Sequence, residues 1–440
     1  MYFESVICRL TSKVPVYFFL TLIVTWLVTP IAYSERVFFA GYNGGFYIKS
    51  EEDGGMALKF GGAFQSDYRY YNESQRADNR FDIRRSRLKF NGQLTRWVRF
   101  GMEYEFQGSE TDNLIDAWGE GVNANHAVRF GQYKQPFSLE WQSKDKALCF
   151  AERSLANSLS PKRELGLMAH GTLFSHSVNY AAGFFNGDGD DGSTTGNQQD
   201  DPEIAIRIVC NPFQASSADW LSGIYLGGSA TAAKIDTANV SLRIKSTGMA
   251  GSSRNIYELT HNTKFGVLQR VDKRLRTGLE AAWIVGPVAV SGEYIQFKYT
   301  DLQPAGAPPS DAVFNAWYAS LIWNITGEPV LFSGGVFKPV YPHRFFNPDE
   351  GTWGAFTLGL RAEHFSGDKD WINPAAFVSV EDADAYSIAL NWIVFPMCRL
   401  ISDYTRTTLS DPVRVRILPD GSVDYINSEN VITVRLSIDF

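Results

Sequence analysis

The feature that most constrains the fold is a series of long segments in which apolar and polar residues alternate. In residues 98–106 every even position is apolar or aromatic, while the odd positions hold an arginine, a glycine and two glutamates. Residues 385–394 repeat the pattern. Alternation with a period of two places the two sets on opposite faces of a β-strand. Strands of soluble sandwiches also alternate, but they are typically shorter than the roughly nine to eleven residues that cross a lipid bilayer.

The connections between these segments indicate a closed barrel. No linker-like boundary appears between Gly54 and Phe440, and short connections alternate with long ones, as in barrels with short turns at the periplasmic end. The short set includes 91–96, 121–126, 174–177, 285–288 and 394–397. The long, polar set includes 71–80, 136–164, 186–202, 231–274, 300–311, 366–382 and 409–430. We predict an all-β, transmembrane antiparallel barrel of about sixteen strands, which requires residues 327–353 to be one long connection on the short-turn side.

The N-terminal segment is typical of an export signal. Arg9 and Lys13 precede a charge-free apolar run, and a small residue, Ala32, lies close to a plausible cleavage point. An uncleaved membrane helix is the competing interpretation, because the run is near spanning length, but no second apolar helix follows it. We predict a signal peptide at 1–34, a short lead-in at 35–54 and the barrel at 55–440.

The C-terminus is typical of a strand that closes such a barrel. It reads VITVRLSIDF, with apolar residues alternating with polar ones and Phe440 as the last residue. We expect Phe440 at the lipid-facing end of the last strand, where the outer-membrane insertion machinery would recognise it. The predicted location is therefore the bacterial outer membrane, with its lipid as a partner.

Cations share one face of several predicted strands. In residues 81–92, Arg85 lies on the face opposite to Leu88, which fits a strand with water inside and lipid outside. A soluble amphipathic strand with solvated cations would show the same pattern. The positions with this parity, all expected to line the pore and contact anions, are Arg85, Arg87, Lys89, Arg99 and Arg129.

The long connection at 136–164 carries both aromatic and basic residues. A connection of this length usually has a function, and we predict that it folds into the lumen as a constriction loop. Lys144, Lys146 and Arg153 would then form the narrowest cationic zone, where confined charges act strongly on ions. The alternative is an exposed loop with snorkelling lysines.

Four stretches resemble the porin O and P family, the phosphate-selective porins. They are FDIRRSRLKFNG; VRFGQYKQPFSLEW with FAERSL and SPKRELG; the pair AAWIVGPVAVSGEY and WYASLIWNITGEP; and DAYSIALNWIVFPMCRLISDYTRT with VRLSIDF. The resemblance implies a sixteen-stranded barrel that assembles as a trimer and passes small anions. It matches the family's paired arginines to Arg84 and Arg85, and its inward loop to residues 136–164. Phosphate-specific members carry a lysine straight after the Leu-Glu of that loop, whereas this chain has Trp141.

We expect a water-filled porin for passive diffusion of small anions, with phosphate or polyphosphate as candidates. No catalytic motif or metal-ligand spacing appears, so neither an enzyme nor a cofactor is expected, and a net charge of −7 disfavours nucleic acid. The alternatives are an envelope adhesin and an outer-membrane barrel enzyme. Beyond the leader, Cys149, Cys210 and Cys398 are odd in number, so at least one thiol is free or pairs between chains.

Overall fold

The computed structural model describes residues 37–42, 45–52, 54–71, 78–107, 113–187, 202–238, 240–249, 255–373, 379–417 and 422–440. The predicted signal peptide at 1–34 lies outside these residues, so the proposed division of the chain stays a prediction. No helix in this part of the chain is long and apolar enough to cross a membrane. Cys149, Cys210 and Cys398 are all free thiols.

Sixteen antiparallel strands form a closed wall, as predicted. In chain order they are β1 (Ala57–Tyr71), β2 (Arg80–Thr95), β3 (Val98–Glu105), β4 (Leu114–Asn123), β5 (His126–Lys134), β6 (Arg163–Leu173), β7 (Val178–Phe185), β8 (Glu203–Cys210), β9 (Ile224–Lys234), β10 (Lys273–Val285), β11 (Val288–Pro304), β12 (Ser310–Asn324), β13 (Ala355–Ser366), β14 (Asp382–Phe395), β15 (Cys398–Ile417) and β16 (Val423–Asp439).

The barrel closes where β16 pairs with β1. Val431 lies opposite Tyr71 at one end of this seam and Asp439 opposite Ala63 at the other. Phe440 and Gly62 then exchange two backbone hydrogen bonds of 2.7 and 3.1 Å. A Cβ atom on Gly62 would lie only 2.5 Å from the Phe440 ring, so a glycine is needed beside the terminal aromatic residue.

A hairpin within the predicted lead-in extends the same edge of β1. Its two strands are Phe38–Tyr42 and Phe46–Ser50, and the second pairs with β1 from Phe60 to Ala57. It therefore continues along β1 beyond the point at which β16 ends.

Over much of the barrel the wall is apolar outside and polar inside, as the alternation predicted. In β16, Ile432 and Leu436 are exposed on the outer face, whereas Arg435 between them is only 2% exposed. An inward-facing charge buried by other polar groups is the reverse of a soluble sandwich core, and it matches a barrel whose lumen is hydrophilic.

Several connections differ from the prediction. Strand β2 continues to Thr95, so the predicted turn at 91–96 shrinks to the two residues after it. The predicted connection at 409–430 is wrong because β15 and β16 run on to Ile417 and Val423, and 300–311 is shortened in the same way. Main-chain pairing does not require lipid, so these hairpins extend past the apolar band. Residues 325–354 do form one long connection on the short-turn side.

The connection at 231–274 was predicted to be long and polar, but part of it is apolar and buried in the lumen. Its strands Ser241–Ile244 and Tyr257–Thr260 pair, and their apolar residues pack against Phe297, Phe314 and Phe365 of the inner wall. The sequence does carry an apolar residue at each of the buried positions, Val240, Leu242, Ile244, Ile256, Tyr257 and Leu259. This connection and the 136–164 loop together fill the lumen beside β11, β12 and β13.

Candidate channel constriction

The loop at 136–164 folds into the lumen, as predicted, and wall carboxylates hold its backbone. Glu293 on β11 accepts hydrogen bonds from the amides of Leu139 and Glu140, at 2.9 and 2.7 Å. Asp403 on β15 accepts one from Ala151 at 3.1 Å. Because bonds to a carboxylate are stronger than bonds between neutral groups, these contacts fix the loop across the barrel.

Glu152, in the middle of this loop, joins three strands of the wall. Its carboxylate lies 2.5 Å from Arg69 on β1, 2.8 Å from Arg84 on β2 and 2.7 Å from Arg435 on β16. Asp67 on β1 also pairs with Arg69 and Arg435, at 2.7 and 2.6 Å. Burial disfavours the charged form, but the three guanidinium groups outweigh it and hold the pKa of Glu152 well below its ordinary range.

Arg84 and Arg85 are neighbours in sequence, yet both point into the lumen. A register shift opposite Gln65 and Ser66 makes this possible, because Arg85 pairs with Gln65 while Ile83, two residues earlier, pairs with Ser66. Such a β-bulge leaves Arg84 as the extra residue and breaks the alternation. Arg85 lies 3.2 Å from Asp145 of the loop.

Arg87 and Lys89 of β2 and Arg153 of the loop are also paired with carboxylates. Arg87 pairs with Glu105 at 2.5 Å and with Asp145 at 3.1 Å, and Lys89 pairs with Glu103 at 2.5 Å. Arg153, expected to line the narrowest zone, pairs with Asp145 at 2.7 Å, and its guanidinium donates to two loop carbonyls. Its side chain is 9% exposed, so it holds the loop together more than it faces water.

Arg99 on β3 and Arg129 on β5 meet at one carboxylate, Glu120 on β4. Arg129 donates two hydrogen bonds to it at 2.9 and 2.6 Å, and Arg99 approaches to 3.9 Å with 47% of its side chain exposed. These two arginines therefore lie apart from the Glu152 cluster, towards the short-turn end.

Lys144 and Lys146 differ from the arginines of the lumen. In the described part of the chain neither has an ion-pair partner, and Lys144 is exposed. Enclosure by the barrel, followed by repulsion from Lys89, Lys146 and Lys338, lowers the pKa of Lys144. Enclosure likewise lowers the pKa of Lys146. We call Lys89, Lys144, Lys146 and Lys338 the lysine cluster.

The family model of the phosphate-selective porins O and P matches residues 58–440. The chain belongs to this family. Porin O of Pseudomonas aeruginosa is 22% identical over 381 residues, which cover 80% of this chain and 83% of that protein. The anion-selective porin from Comamonas acidovorans superposes with a TM-score of 0.52 at 12% identity, covering 88% of this chain and all of that one. The outer membrane channel DcaP of Acinetobacter baumannii gives 0.53 at 11% identity, covering 91% of this chain and all of that one.

The protein is thus an outer-membrane porin of the O and P family. Trp141 of its constriction loop lies among basic side chains. Its ring is surrounded by Lys134 at 4.6 Å, Arg153 at 5.3 Å, and Lys162 and Arg163 at 5.5 Å. Cations are attracted to the face of an indole. The uncharged Trp141 ring therefore favours a high density of positive charge beside the constriction loop.

Sequence reasoning missed the wall residues that hold the porin loop. Arg361 on β13 binds Glu140 at 3.1 Å, and Arg399 on β15 donates to the carbonyls of Asp145 and Leu148. Their inward parity could have been read from the alternation. What no local pattern shows is which group of the loop each arginine meets, since the partners are more than two hundred residues apart.

Proposed function

We propose that this porin passes small inorganic and organic anions by passive diffusion, and that phosphate is one of them rather than its dedicated substrate. The observation that carries the proposal is the contrast between paired and unpaired cations. Each arginine around Glu152 is paired with a carboxylate, whereas Lys144 and Lys146 have no ion-pair partner among the residues that the structure describes.

An anion in a narrow lumen loses part of its water shell, which is costly unless hydrogen-bond donors replace it. The lysine cluster supplies several adjacent ammonium groups, each a mobile point charge with three donors. Several weak neighbouring sites let an ion enter readily and still leave. Trp141 in place of a lysine removes one donor suited to phosphate, which favours a broader range of anions.

The pore-lining role extends to Arg84, Arg85, Arg87, Lys89, Arg99, Arg129 and Arg153. In the proposal, the arginines paired with loop acids shape the constriction, while Lys89 and Arg99, which are more exposed, contact passing ions. A homotrimer is proposed by analogy, since OmpT of Vibrio cholerae, with a TM-score of 0.50 to this chain, has been solved in a trimer form. Recognition of Phe440 by the insertion machinery is proposed as well.

The test is the reversal potential of single channels in a KCl gradient, repeated with phosphate present. The wild-type channel should prefer anions. The double variant Lys144→Glu/Lys146→Glu should move the reversal potential toward cation preference, most strongly at low salt, where charges are least screened. A matched control, Lys264→Glu/Lys369→Glu, makes the same charge change on exposed connections and should have a small effect.

Unchanged selectivity in the Lys144/Lys146 double variant would show that the loop is not the filter. Absence of any conductance would favour the adhesin, and reaction with an activity-based nucleophile probe would favour the enzyme.

A further inference from the structure

A second compartment of the channel, which we call the vestibule, lies on the short-turn side of the constriction loop. It is a cavity of about 640 Å³ between β3–β8 of the wall, the start of the loop, and the hairpin Phe332–Ser333/Val336–Phe337 of the long periplasmic connection. This volume is within the range of about 300–1,000 Å³ typical of pockets for organic ligands. A phosphate or chloride ion would fill only a small part of it.

The charged part of this vestibule is the group around Glu120. Two guanidinium groups, Arg99 and Arg129, share the single carboxylate, so one positive charge is left over. His170 lies 3.2 Å from the same carboxylate. A neutral imidazole can donate this hydrogen bond, so the contact does not require an additional positive charge. Arg99 is held only at 3.9 Å, which leaves its donors available to a second carboxylate.

The apolar part is built around Trp118. Its indole lies across Gly101 of the neighbouring strand, where a Cβ atom would come within 2.5 Å of the ring. The Arg129 guanidinium lies over the indole at 3.9 Å from the ring centroid. Trp118 also packs against the buried group of Tyr133, Met168 and Phe185. Trp118, which its neighbours in the wall hold in place, therefore fixes the orientation of the Arg129 guanidinium plane.

A guanidinium fixed in this way can receive a second flat group. Arginine stacks on aromatic faces, and the rings of Trp118 and Tyr133 lie 3.9 and 5.5 Å from the Arg129 guanidinium. A planar ring that enters from the cavity would extend this aromatic contact. Apolar side chains of the vestibule, including Met168, Val209 and Val336, would cover the rest of such a molecule, whereas they offer nothing to an inorganic anion.

We propose that this vestibule is a binding subsite for aromatic carboxylates, with Arg99 pairing to the carboxylate and Arg129, supported by Trp118, stacking on the ring. The inference rests on the proposed function as an anion channel and names one substrate class for it. Binding here would slow the passage of an aromatic carboxylate relative to that of chloride, which makes the ligand a reversible blocker of the chloride current.

The experiment uses the full-length protein in planar bilayers with KCl, adding benzoate, cyclohexanecarboxylate or inorganic phosphate to either side. Cyclohexanecarboxylate has the charge and nearly the size of benzoate but is not flat. Benzoate should half-block the wild-type current at a concentration about tenfold lower than either of the others, the gain expected from a desolvated cation–π stack. Trp118→Leu should raise the half-blocking concentration of benzoate about tenfold and leave the value for phosphate nearly unchanged, while Trp118→Phe should keep most of the preference.

The matched control is Trp323→Leu, which removes a tryptophan from the outer face of β12 and should not change block by benzoate. Equal block of the wild-type channel by benzoate and cyclohexanecarboxylate would overturn the inference, whether or not the Trp118 variants fold. Cation preference in the KCl gradient would overturn the proposed function and the inference with it. Anion preference with equal block would overturn the inference alone.

Discussion

Replacing Glu152 by glutamine is the sharpest test of how the constriction is held. The substitution keeps the size of the side chain and one oxygen acceptor but removes the charge that faces Arg69, Arg84 and Arg435. Asp67 would then be the remaining acid of this group, against three guanidinium groups. We expect the barrel wall to form normally, because its main-chain pairing does not involve Glu152, while the loop detaches from the wall more often.

The size of the effect follows from burial. The Glu152 side chain is 7% exposed and all three partners are within 2.8 Å, so this is a buried ion group rather than a surface pair. Removing one partner of a buried pair costs about 3–5 kcal/mol. The lumen is hydrated and glutamine still accepts a hydrogen bond, so we take the lower limit, about 3 kcal/mol. That free energy raises the ratio of undocked to docked loop about a hundredfold.

Single-channel recording measures this directly. Wild-type channels should show one quiet conductance level, whereas Glu152→Gln channels should show excess noise and excursions to a larger level. The control is Asp311→Asn, which breaks an exposed pair with Lys298 and should leave the current quiet, because exposed pairs contribute about 0–1 kcal/mol. Quiet Glu152→Gln channels of wild-type conductance would refute the view that Glu152 anchors the loop.

Three further outcomes can be measured on the same preparations. Because the pKa of Glu152 is lowered, its contribution to loop docking is complete above the ordinary value of 4.5 and is lost as the pH falls through the lower folded-state pKa; wild-type current noise should therefore stay constant from pH 7 to about 5 and rise only in stronger acid. Because the pKa values of Lys144 and Lys146 are lowered, both side chains lose their charge as the pH rises, before the ordinary value of 10.5 is reached. The reversal potential should therefore lose its anion preference below pH 10.5. Deleting Phe440 should reduce the yield of heat-modifiable barrel in the membrane, and normal yields would contradict its role at the closing seam.

The alternation of residues predicted the wall well because period two is a local property. The alternation within each strand shows which of its faces is turned to lipid, and the inward position of Arg87 follows from that pattern. Arg84 shows the limit. A bulge inserts one residue, and nothing in the run of arginines shows on which side of Arg84 the register shifts. The 231–274 connection shows another limit, since its apolar residues are spread between polar ones and find their partners only on distant strands.

The constriction site was predictable as a region but not as a mechanism. Composition identified the loop and its lysines, because basic and aromatic residues concentrate there. It could not show that Arg153 would be neutralised by Asp145, or that Glu152 would gather arginines from three strands. The Glu152 group also depends on the barrel being closed, since β1 and β16 become neighbours only then.

The pairing of Asp67 with Arg435 has a consequence for assembly. These residues are more than three hundred positions apart and lie on opposite sides of the seam, and Glu152 adds a third contact from inside. In a chain whose first and last strands have not met, Asp67 lacks its partner across the seam and Glu152 lacks one of its arginines. Loop docking is then weakened by the loss of those contacts. The selective pore is therefore completed in the same event that closes the barrel. A partly assembled intermediate in the membrane would let ions pass without the selectivity that the docked loop provides.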